Sequence, residues 1–421
     1  MNEKKMLFIV TEINSANGIC SLNVMRELKK KKIQLFCITN NENNKKEYEM
    51  ENIKFFTIKP RLNYRLNNFS KKIKNSFYRK LFLYLINIIN KFKILMFIFT
   101  WPLVSPLYSY RIFSKSKKII KKYNIKYIVP VYSQIDTLIA ANLLKRKNND
   151  LVIIPYFLDS LSGGYGPRIF SKAKTIKRGL SWENILLCNS KKIIMMQSAY
   201  SHYQKISEKI NFFKNIVFLD LPLLIPKNYN DKLSAVGQKT INIVYCGSIP
   251  SGIRSPNDFL KIFRFVSLKN IKLTFIGTLD CSALNKASLI DNRIEIIGKI
   301  PYCEIEKYEK NADILLNLGN SNPNMTPSKL FEYLSYCKPI ISTCPIEDEP
   351  CIKYLNKYRL SYLVKEYNKL DYKKEGELLE KFIINNYKKR ENFERISNTF
   401  NKNLPKTTAN EIIRVMNERG N

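Results

Sequence analysis

The sequence is poor in the residues that most often bind metals. Among 421 residues it has a single histidine, His202, and it lacks an Asp-x-Asp pair. Zinc sites rely on clustered His and Cys side chains, and manganese sites on oxygen ligands, so the sequence favours chemistry without a bound metal. His202 stands on a predicted helix that follows the strand predicted at 193–196. A surface position fits it better than a catalytic one.

The sequence also lacks any Cys-x-x-Cys spacing. Its nine cysteines are scattered, mostly within apolar runs. An odd number of unpaired thiols is typical of a reducing cytosol. The first five residues lead directly into a predicted strand, so we expect no N-terminal signal and a cytoplasmic protein.

Acidic residues are absent from one long segment. Residues 52–135 contain 18 Lys or Arg and no Asp or Glu, which is half of the formal net charge of +36. Within it, Lys80, Tyr84, Asn87 and Lys91 form one polar stripe on an otherwise apolar helix predicted over 81–92. Residues 94–110 carry no charge, but Pro102 and Pro106 interrupt them. A membrane-spanning helix needs about 20 apolar residues, so this run is too short to cross.

We therefore expect a basic and apolar segment, about residues 60–126, to lie against an anionic membrane surface. The protein would then be peripheral on the inner face of the plasma membrane. Packing into a domain core is an open alternative for the same apolar residues. Nucleic acid is a weaker one, because no groove-reading motif is present and the basic residues accompany aliphatic side chains, not stacking aromatics.

Apolar runs and amphipathic stretches alternate along both halves of the chain. Strands are predicted at 6–11, 33–39, 151–158, 272–277, 294–298 and 313–318, and helices at 21–31, 255–268, 280–290 and 302–311. Such alternation predicts an α/β protein with two doubly wound, Rossmann-like parallel sheets. The predicted domains are 1–225 and 238–400, with a linker near 222–240 and a helix in 401–421 returning to the first domain.

Residues 312–343 form the most informative window. An apolar run enters a Gly/Asn/Pro-rich loop, and a helix predicted from Lys329 to Tyr336 follows. Thr326 or Ser328 is a suitable helix cap, and Pro327 suits a first turn. A helix start favours phosphate, and Glu332 one turn further could accept hydrogen bonds from a ribose. An ordinary βαβ unit with a solvated Glu332 is the plainer alternative.

This window resembles the nucleotide-sugar site of the family 4 glycosyltransferases, which are retaining enzymes of GT-B architecture. The family segment Pro-Ser-Lys-x-x-Glu-Tyr is present at Pro327, Ser328, Lys329, Glu332 and Tyr333, and Lys-Pro follows at 338–339. The resemblance places Glu332 at the ribose. Many members carry an acidic residue eight positions earlier, facing the donor sugar, whereas this chain has Asn324.

A second stretch, residues 241–265, is similar to the first strand, glycine loop and helix of the family's donor domain. The resemblance places Gly247 at the donor diphosphate and makes Arg254 the cation that neutralises the leaving group. Relatives often have a second Arg where this chain has Ser248. Gly298 and Ile300 fall in the family's base-binding loop, although a plain turn explains them equally well.

In the first domain, the resemblance places Gly18, in the loop predicted at 12–20, near the diphosphate and the acceptor. Asp159 follows the apolar run 151–158 and is followed by Ser-Leu-Ser-Gly-Gly. At the carboxyl end of a strand its carboxylate could orient an acceptor hydroxyl or act as a base. A helix cap is the competing interpretation. Neither glycine loop has the spacing of a dinucleotide-binding fingerprint.

Together these features predict a metal-independent glycosyltransferase with no cofactor. It would move a sugar from a UDP- or GDP-sugar to a glycan or lipid-linked glycan during capsule, exopolysaccharide or lipopolysaccharide synthesis. The alternative is a catalytically impaired GT-B scaffold that binds anionic membrane or nucleic acid, and the departures at Asn324 and Ser248 favour it.

Overall fold

The structure is a computed structural model that describes residues 4–41, 45–70, 72–164, 166–167, 169–227, 240–279, 281–323 and 327–418. The chain divides into two compact units. One contains Met1–Asp220 together with Lys406–Asn421, and the other contains Leu221–Pro405.

The first unit is built around one large sheet. Its strands are β1 (Lys5–Ile9), β2 (Gln34–Asn40), β3 (Glu47–Met50), β4 (Ile53–Ile58), β5 (Tyr127–Tyr132), β6 (Val152–Ile153), β7 (Tyr156–Phe157), β8 (Ile193–Met196) and β9 (Ile216–Leu219). The strand order is β3-β4-β2-β1-β5-β7-β8-β9, with β6 paired to β5. β3 runs antiparallel to β4, and the other pairs are parallel.

Among the described residues, seven helices of this unit precede the chain's passage into the second unit. They are α1 (Ala16–Lys30), α2 (Leu62–Ser70), α3 (Ser76–Phe97), α4 (Pro106–Tyr123), α5 (Ile135–Lys147), α6 (Lys172–Leu187) and α7 (Tyr200–Lys205), with 3-10 turns at Gln197–Ala199, Ser207–Lys209 and Phe213–Asn215. The central strands β1 and β2 are apolar and buried along almost their whole length. A strand covered on both faces has that continuous apolar pattern, which is why helices flank the sheet.

Two elements of the first unit differ from the sequence prediction. Helix α1 begins at Ala16, five residues earlier than predicted, because the Ser15 hydroxyl accepts a hydrogen bond from the Gly18 amide and caps it. Gly18 therefore lies in a helix and not in a loop. The run 151–158 forms β6 and β7, separated by Ile154 and Pro155. Proline has no amide hydrogen to donate to a sheet ladder, so the strand is interrupted there.

The second unit contains a six-stranded sheet in which the pairs are parallel. Its strands are β10 (Ile241–Cys246), β11 (Ile271–Ile276), β12 (Ile294–Gly298), β13 (Ile314–Asn317), β14 (Ile340–Cys344) and β15 (Ser361–Lys365). Its helices are α8 (Asn257–Phe263), α9 (Ser282–Ile290), α10 (Tyr302–Asn311), α11 (Lys329–Leu334), α12 (Ile352–Leu355), α13 (Tyr372–Asn386) and α14 (Phe393–Thr399), with a 3-10 turn at Asn401–Asn403. The strand order is β12-β11-β10-β13-β14-β15.

The last described helix, α15 (Pro405–Asn417), belongs mainly to the first unit. Its Ile412 and Met416 are buried. The hydroxyl of Tyr127 on β5 donates to the Met416 carbonyl at 3.4 Å, and the Lys4 ammonium donates to the Asn417 side chain at 2.6 Å. The first unit is thus assembled from two separate stretches of the chain.

Candidate active site

The second sheet has a topological switch point between β10 and β13, where the chain order of its strands reverses. In open α/β sheets, ligands bind beyond the carboxyl ends of the strands at such a point. Gly247 and Ser248 directly follow β10, and the loop that leads to Ser328 follows β13. Both sequence motifs therefore begin at the position where this kind of fold holds its ligands.

Arg254 joins the two loops of the switch point. Its Nε donates to the Asn320 side-chain oxygen at 2.8 Å, and its Nη1 donates to the Ser248 carbonyl at 3.3 Å. Gly247 is closely packed, because a Cβ on neighbouring Gly277 would lie 1.8 Å from its carbonyl oxygen. The structure places the predicted cation beside the predicted glycine loop.

Lys329, the first residue of α11, lies between two buried carboxylates. Its Nζ donates to Glu309 Oε1 at 2.9 Å and to Glu332 Oε2 at 2.5 Å. Burial alone would lower the pKa of Lys329, but Glu332 and Glu309 outweigh it and raise that pKa. Burial also raises the pKa of Glu309, against the opposing effect of Lys329. The Lys329 ammonium thus forms ion pairs with both carboxylates. Glu332, predicted to bind the ribose, is paired here with the lysine predicted to act on the diphosphate.

Tyr245, on β10, connects the two cations. Its hydroxyl donates to the Ser248 carbonyl at 2.9 Å. Burial raises the pKa of Tyr245, while the positive charges of Arg254 and Lys329 both act in the opposite direction. Both cations are therefore close enough to influence the same phenol. The two sequence motifs, 75 residues apart, therefore bring their cations to one part of the second unit.

The start of α11 differs from its prediction. Ser328 occupies the cap position without a capping hydrogen bond from its side chain, and the helix ends at Leu334. The amides of Leu330 and Phe331 donate to the carbonyls of Pro327 and Ser328. These two amides are already used, so the cations carry more of any phosphate binding than the sequence predicted. Asn324 and Thr326 lie outside the described residues.

The predicted base-binding loop begins with an unusual backbone conformation. Gly298 ends β12 with φ of 76°, a left-handed conformation that favours glycine, and a Cβ there would meet no atom within 4 Å. Its carbonyl accepts from the Gly277 amide at 2.8 Å. Ile300 is half-buried two residues later. The conformation supports a tight turn and leaves the predicted base contact untested.

Two supporting residues were missed by the sequence analysis. Glu309 lies on α10, where the sequence analysis singled out no residue. Glu349 is buried beside the β13 loop, where it accepts from the amides of Asn320 at 3.3 Å and Cys351 at 2.7 Å. Burial raises the pKa of Glu349 to about 6, against those hydrogen bonds. The acids at 304, 306 and 309 looked like an ordinary solvated helix face, so no local signal singled out Glu309.

In the first unit, Asp159 follows β7 at the carboxyl edge of the sheet, as predicted. Its side chain is open to solvent, yet partial desolvation by the surrounding protein raises its pKa to about 6. A hydrogen bond from Asn17, in the first turn of α1, opposes this shift. Gly18 is buried next to Asn17, and a Cβ on it would lie 2.2 Å from the carbonyl oxygens of Glu12 and Ile13. Position 18 therefore has no room for a side chain, which explains why it is a glycine.

His202 is not a plain surface residue. It is half-buried, and its Nε2 lies 2.9 Å from the Ser162 hydroxyl, which donates to Glu183 Oε2 at 2.8 Å. The Tyr203 hydroxyl donates to the other Glu183 oxygen at 2.7 Å. Burial raises the pKa of Glu183 to about 7 and lowers that of His202. This polar cluster holds the Ser-Leu-Ser-Gly-Gly loop that follows Asp159.

The described residues contain no group of three or more His, Cys, Asp or Glu side chains that could hold a metal ion. No helix within the described ranges has both the length and the apolar character needed to cross a bilayer.

Comparison with known proteins shows the fold. No protein-family model matches the chain, and no curated protein matches it. It is similar to the solved structure of sucrose-phosphate synthase from Thermosynechococcus elongatus, with 12% identity, a TM-score of 0.60, and 99% of each chain covered. It is also similar to WaaG, described as a glycosyltransferase involved in lipopolysaccharide biosynthesis, with 10% identity, a TM-score of 0.56, and 97% and 99% covered.

A third similar structure is Anabaena HepE in complex with UDP, with 10% identity and a TM-score of 0.55, covering 99% of this chain and 100% of that one. These are glycosyltransferases of GT-B architecture, and the matches extend over nearly the whole chain. The chain therefore has a GT-B fold. Identities this low establish the fold and not the reaction.

Proposed function

We propose that this protein is a retaining glycosyltransferase that takes a sugar from a nucleoside-diphosphate sugar, UDP- or GDP-linked, without a metal. The acceptor would be a glycan or lipid-linked glycan in the synthesis of a surface polysaccharide. Its support is the GT-B fold, shared with an enzyme of lipopolysaccharide biosynthesis and with one crystallised with UDP.

One observation carries the proposal: Arg254 lies at the switch point of the second sheet, where it donates to Asn320 of the β13 loop and to the Ser248 carbonyl of the β10 loop. A departing nucleoside diphosphate develops negative charge, and fixed cations in a partly buried site stabilise that charge strongly. An arginine with a purely structural role commonly pairs with a carboxylate. Here Arg254 bonds to an amide and a carbonyl, so its charge remains available to an anionic ligand.

In the proposed mechanism the donor diphosphate binds Arg254 and Lys329, and Glu332 turns from Lys329 to the ribose hydroxyls. Front-face transfer follows, in which the leaving phosphate accepts the proton of the acceptor hydroxyl. Asp159 of the first unit orients that hydroxyl or helps to accept its proton. Since the pKa of Asp159 is about 6, it is ionised at neutral pH and can serve either role.

The first experiment is a binding and activity panel with UDP-, GDP- and ADP-sugars, read out by thermal shift and by product mass. Glu332→Ala should weaken the binding of the matching donor while leaving free phosphate binding nearly unchanged. Glu304→Ala, on the exposed side of α10, is the matched control. Equal affinity of wild type and Glu332→Ala for every donor would remove the ribose role.

The scaffold alternative also has an observation in its favour. Lys329 is already neutralised by Glu309 and Glu332, so its charge is not directly offered to a ligand. If no nucleotide diphosphate stabilises the folded protein at millimolar concentration, the donor site does not function and the scaffold interpretation replaces the enzyme.

A further inference from the structure

Helix α3 carries a stripe of large apolar side chains that the first unit does not cover. The outer stripe consists of Phe77, Leu81, Leu85, Phe92, Met96 and Phe99, which are 47–80% exposed. Their spacings of three, four or seven residues place them on one side of the helix and its last turn. Large contiguous apolar patches are rarely exposed on monomeric proteins, and where they occur they mark interaction surfaces.

The opposite side of α3 already has a partner. Phe69 of α2 meets Phe82 edge-on, with ring centroids 5.5 Å apart, and Lys93 donates to the Asn63 side chain at 2.6 Å. Ile86 is buried on this side, and the Ile98 carbonyl accepts from Arg178 at 2.8 Å. The helix is held in place by these contacts, so the outer stripe is a fixed feature and not a frayed end.

Charge decides what the outer stripe fits. Residues 52–135 contain 18 Lys or Arg and no acidic residue. Lys80 and Lys91 are exposed on α3, and Lys72 and Lys74 are exposed just before it. A second copy of this chain would bring these cations against each other. A nucleic acid would satisfy them but leave the apolar stripe in water. An anionic lipid surface covers both, because it offers acyl chains beneath negative headgroups.

We propose that the outer stripe of α3 binds flat in the interface of an anionic bilayer, with the surrounding lysines at headgroup level. The 22 residues of α3 span about 33 Å, and Lys80 and Lys91 divide the apolar sequence. The helix therefore lies along the surface and does not cross it. This inference does not depend on the proposed sugar transfer.

The test uses the full chain and vesicles of phosphatidylcholine, with or without roughly 30% phosphatidylglycerol. Wild type should sediment with the anionic vesicles, and the binding should weaken in high salt. Phe92→Ser/Met96→Ser/Phe99→Ser should weaken that binding at least about tenfold, because three large apolar side chains no longer insert. The matched control is Leu289→Ser/Ile290→Ser/Ile384→Ser, which removes three exposed apolar side chains of the second unit and should change binding less than about twofold.

A second pair of variants tests the charges. Changing Lys72, Lys74, Lys80 and Lys91 to Gln should abolish the preference for anionic vesicles, since each cation strengthens binding about fivefold. The same change at Lys373, Lys374 and Lys381 of α13 and at Lys388 just after it removes equal charge elsewhere and should leave the preference intact.

Three results would overturn the proposal. They are no sedimentation of wild type with anionic vesicles, equal loss in the stripe and control variants, or a dimer that the stripe variant converts to a monomer without any vesicle binding. Circular dichroism and the melting temperature of each variant show that loss of binding is not loss of fold. Nucleotide thermal shifts in the same samples report on the donor site separately.

Discussion

Replacing Lys329 by Met should destabilise the second unit strongly, and a second substitution should reverse part of the loss. Glu309 and Glu332 are almost fully buried and share the Lys329 ammonium. Removing one partner of a buried ion pair typically costs about 3–5 kcal/mol, since the remaining charge keeps its desolvation penalty. In a unit of this size each kcal/mol lowers the melting temperature by about 2–4 °C, so we expect a loss on the order of 10 °C.

The double variant Lys329→Met/Glu309→Gln removes one of the two stranded carboxylates. It should recover at least half of the lost melting temperature, while Glu309→Gln alone should change it little because Lys329 keeps Glu332. Lowering the pH should also shrink the effect of Lys329→Met, because the raised pKa of Glu309 lets it take up a proton and lose its charge.

Scanning calorimetry of the four proteins, with and without nucleoside diphosphate, separates stability from binding. The nucleotide should stabilise the folded double variant much less than wild type, because one of the two cations proposed to bind the diphosphate is absent. A melting temperature for Lys329→Met within about 2 °C of wild type would refute the argument about the buried charges. Full nucleotide stabilisation of the double variant would refute the phosphate role of Lys329.

Further predictions concern other residues of the two units. Arg254→Ala should lower turnover by about 10²-fold or more with little change in melting temperature, because its proposed role is to stabilise the charge of the leaving group. Arg264→Ala, at an exposed position, is the matched control. The rate should fall as the pH drops below about 6, where Asp159 takes up a proton, and Asn17→Ala should move that limb to higher pH in a pH–rate profile. The pKa of Glu183 is near 4.5 in the unfolded chain and near 7 in the folded one, so the free energy of unfolding of wild type falls by about 3 kcal/mol as the pH rises through that window. Gln does not titrate, so Glu183→Gln should lack this loss. Its stability relative to wild type should therefore be greater at pH 8 than at pH 5, as thermal melts at both pH values would show. Gly18→Ala should lower the melting temperature by several degrees, since its Cβ meets two carbonyl oxygens at 2.2 Å.

The sequence was sufficient for the fold class because both halves alternate between apolar strands and amphipathic helices. Several elements of the second unit agree with their predicted bounds to within a residue or two, such as β12 and α10. These segments have strong local periodicity and clear breaks. Helix α8 ends at Phe263, whereas the predicted helix continued to residue 268. The prediction was too long because the apolar spacing continues beyond the last helical turn.

The residues that local patterns missed depend on distant contacts. Glu309 acquires its role only when α10 packs near α11, 20 residues later in the chain. The early start of α1 was missed because Asn17 and Gly18 are poor helix formers, and the Ser15 cap overrides that preference. Glu183 and His202 come from different helices and meet through Ser162. The spacing of these residues in the sequence does not predict this contact.

The return of α15 to the first unit has a consequence for biosynthesis. Residues 406–417 complete a unit whose other part ends at Asp220, so the ribosome must add the whole of 221–405 before that unit can close. At about 5–20 residues per second, the unfinished part waits on the order of tens of seconds. The first unit is therefore the last to be completed, and until α15 is made, the surface beside Lys4 and Tyr127 that it covers is open to chaperones during translation.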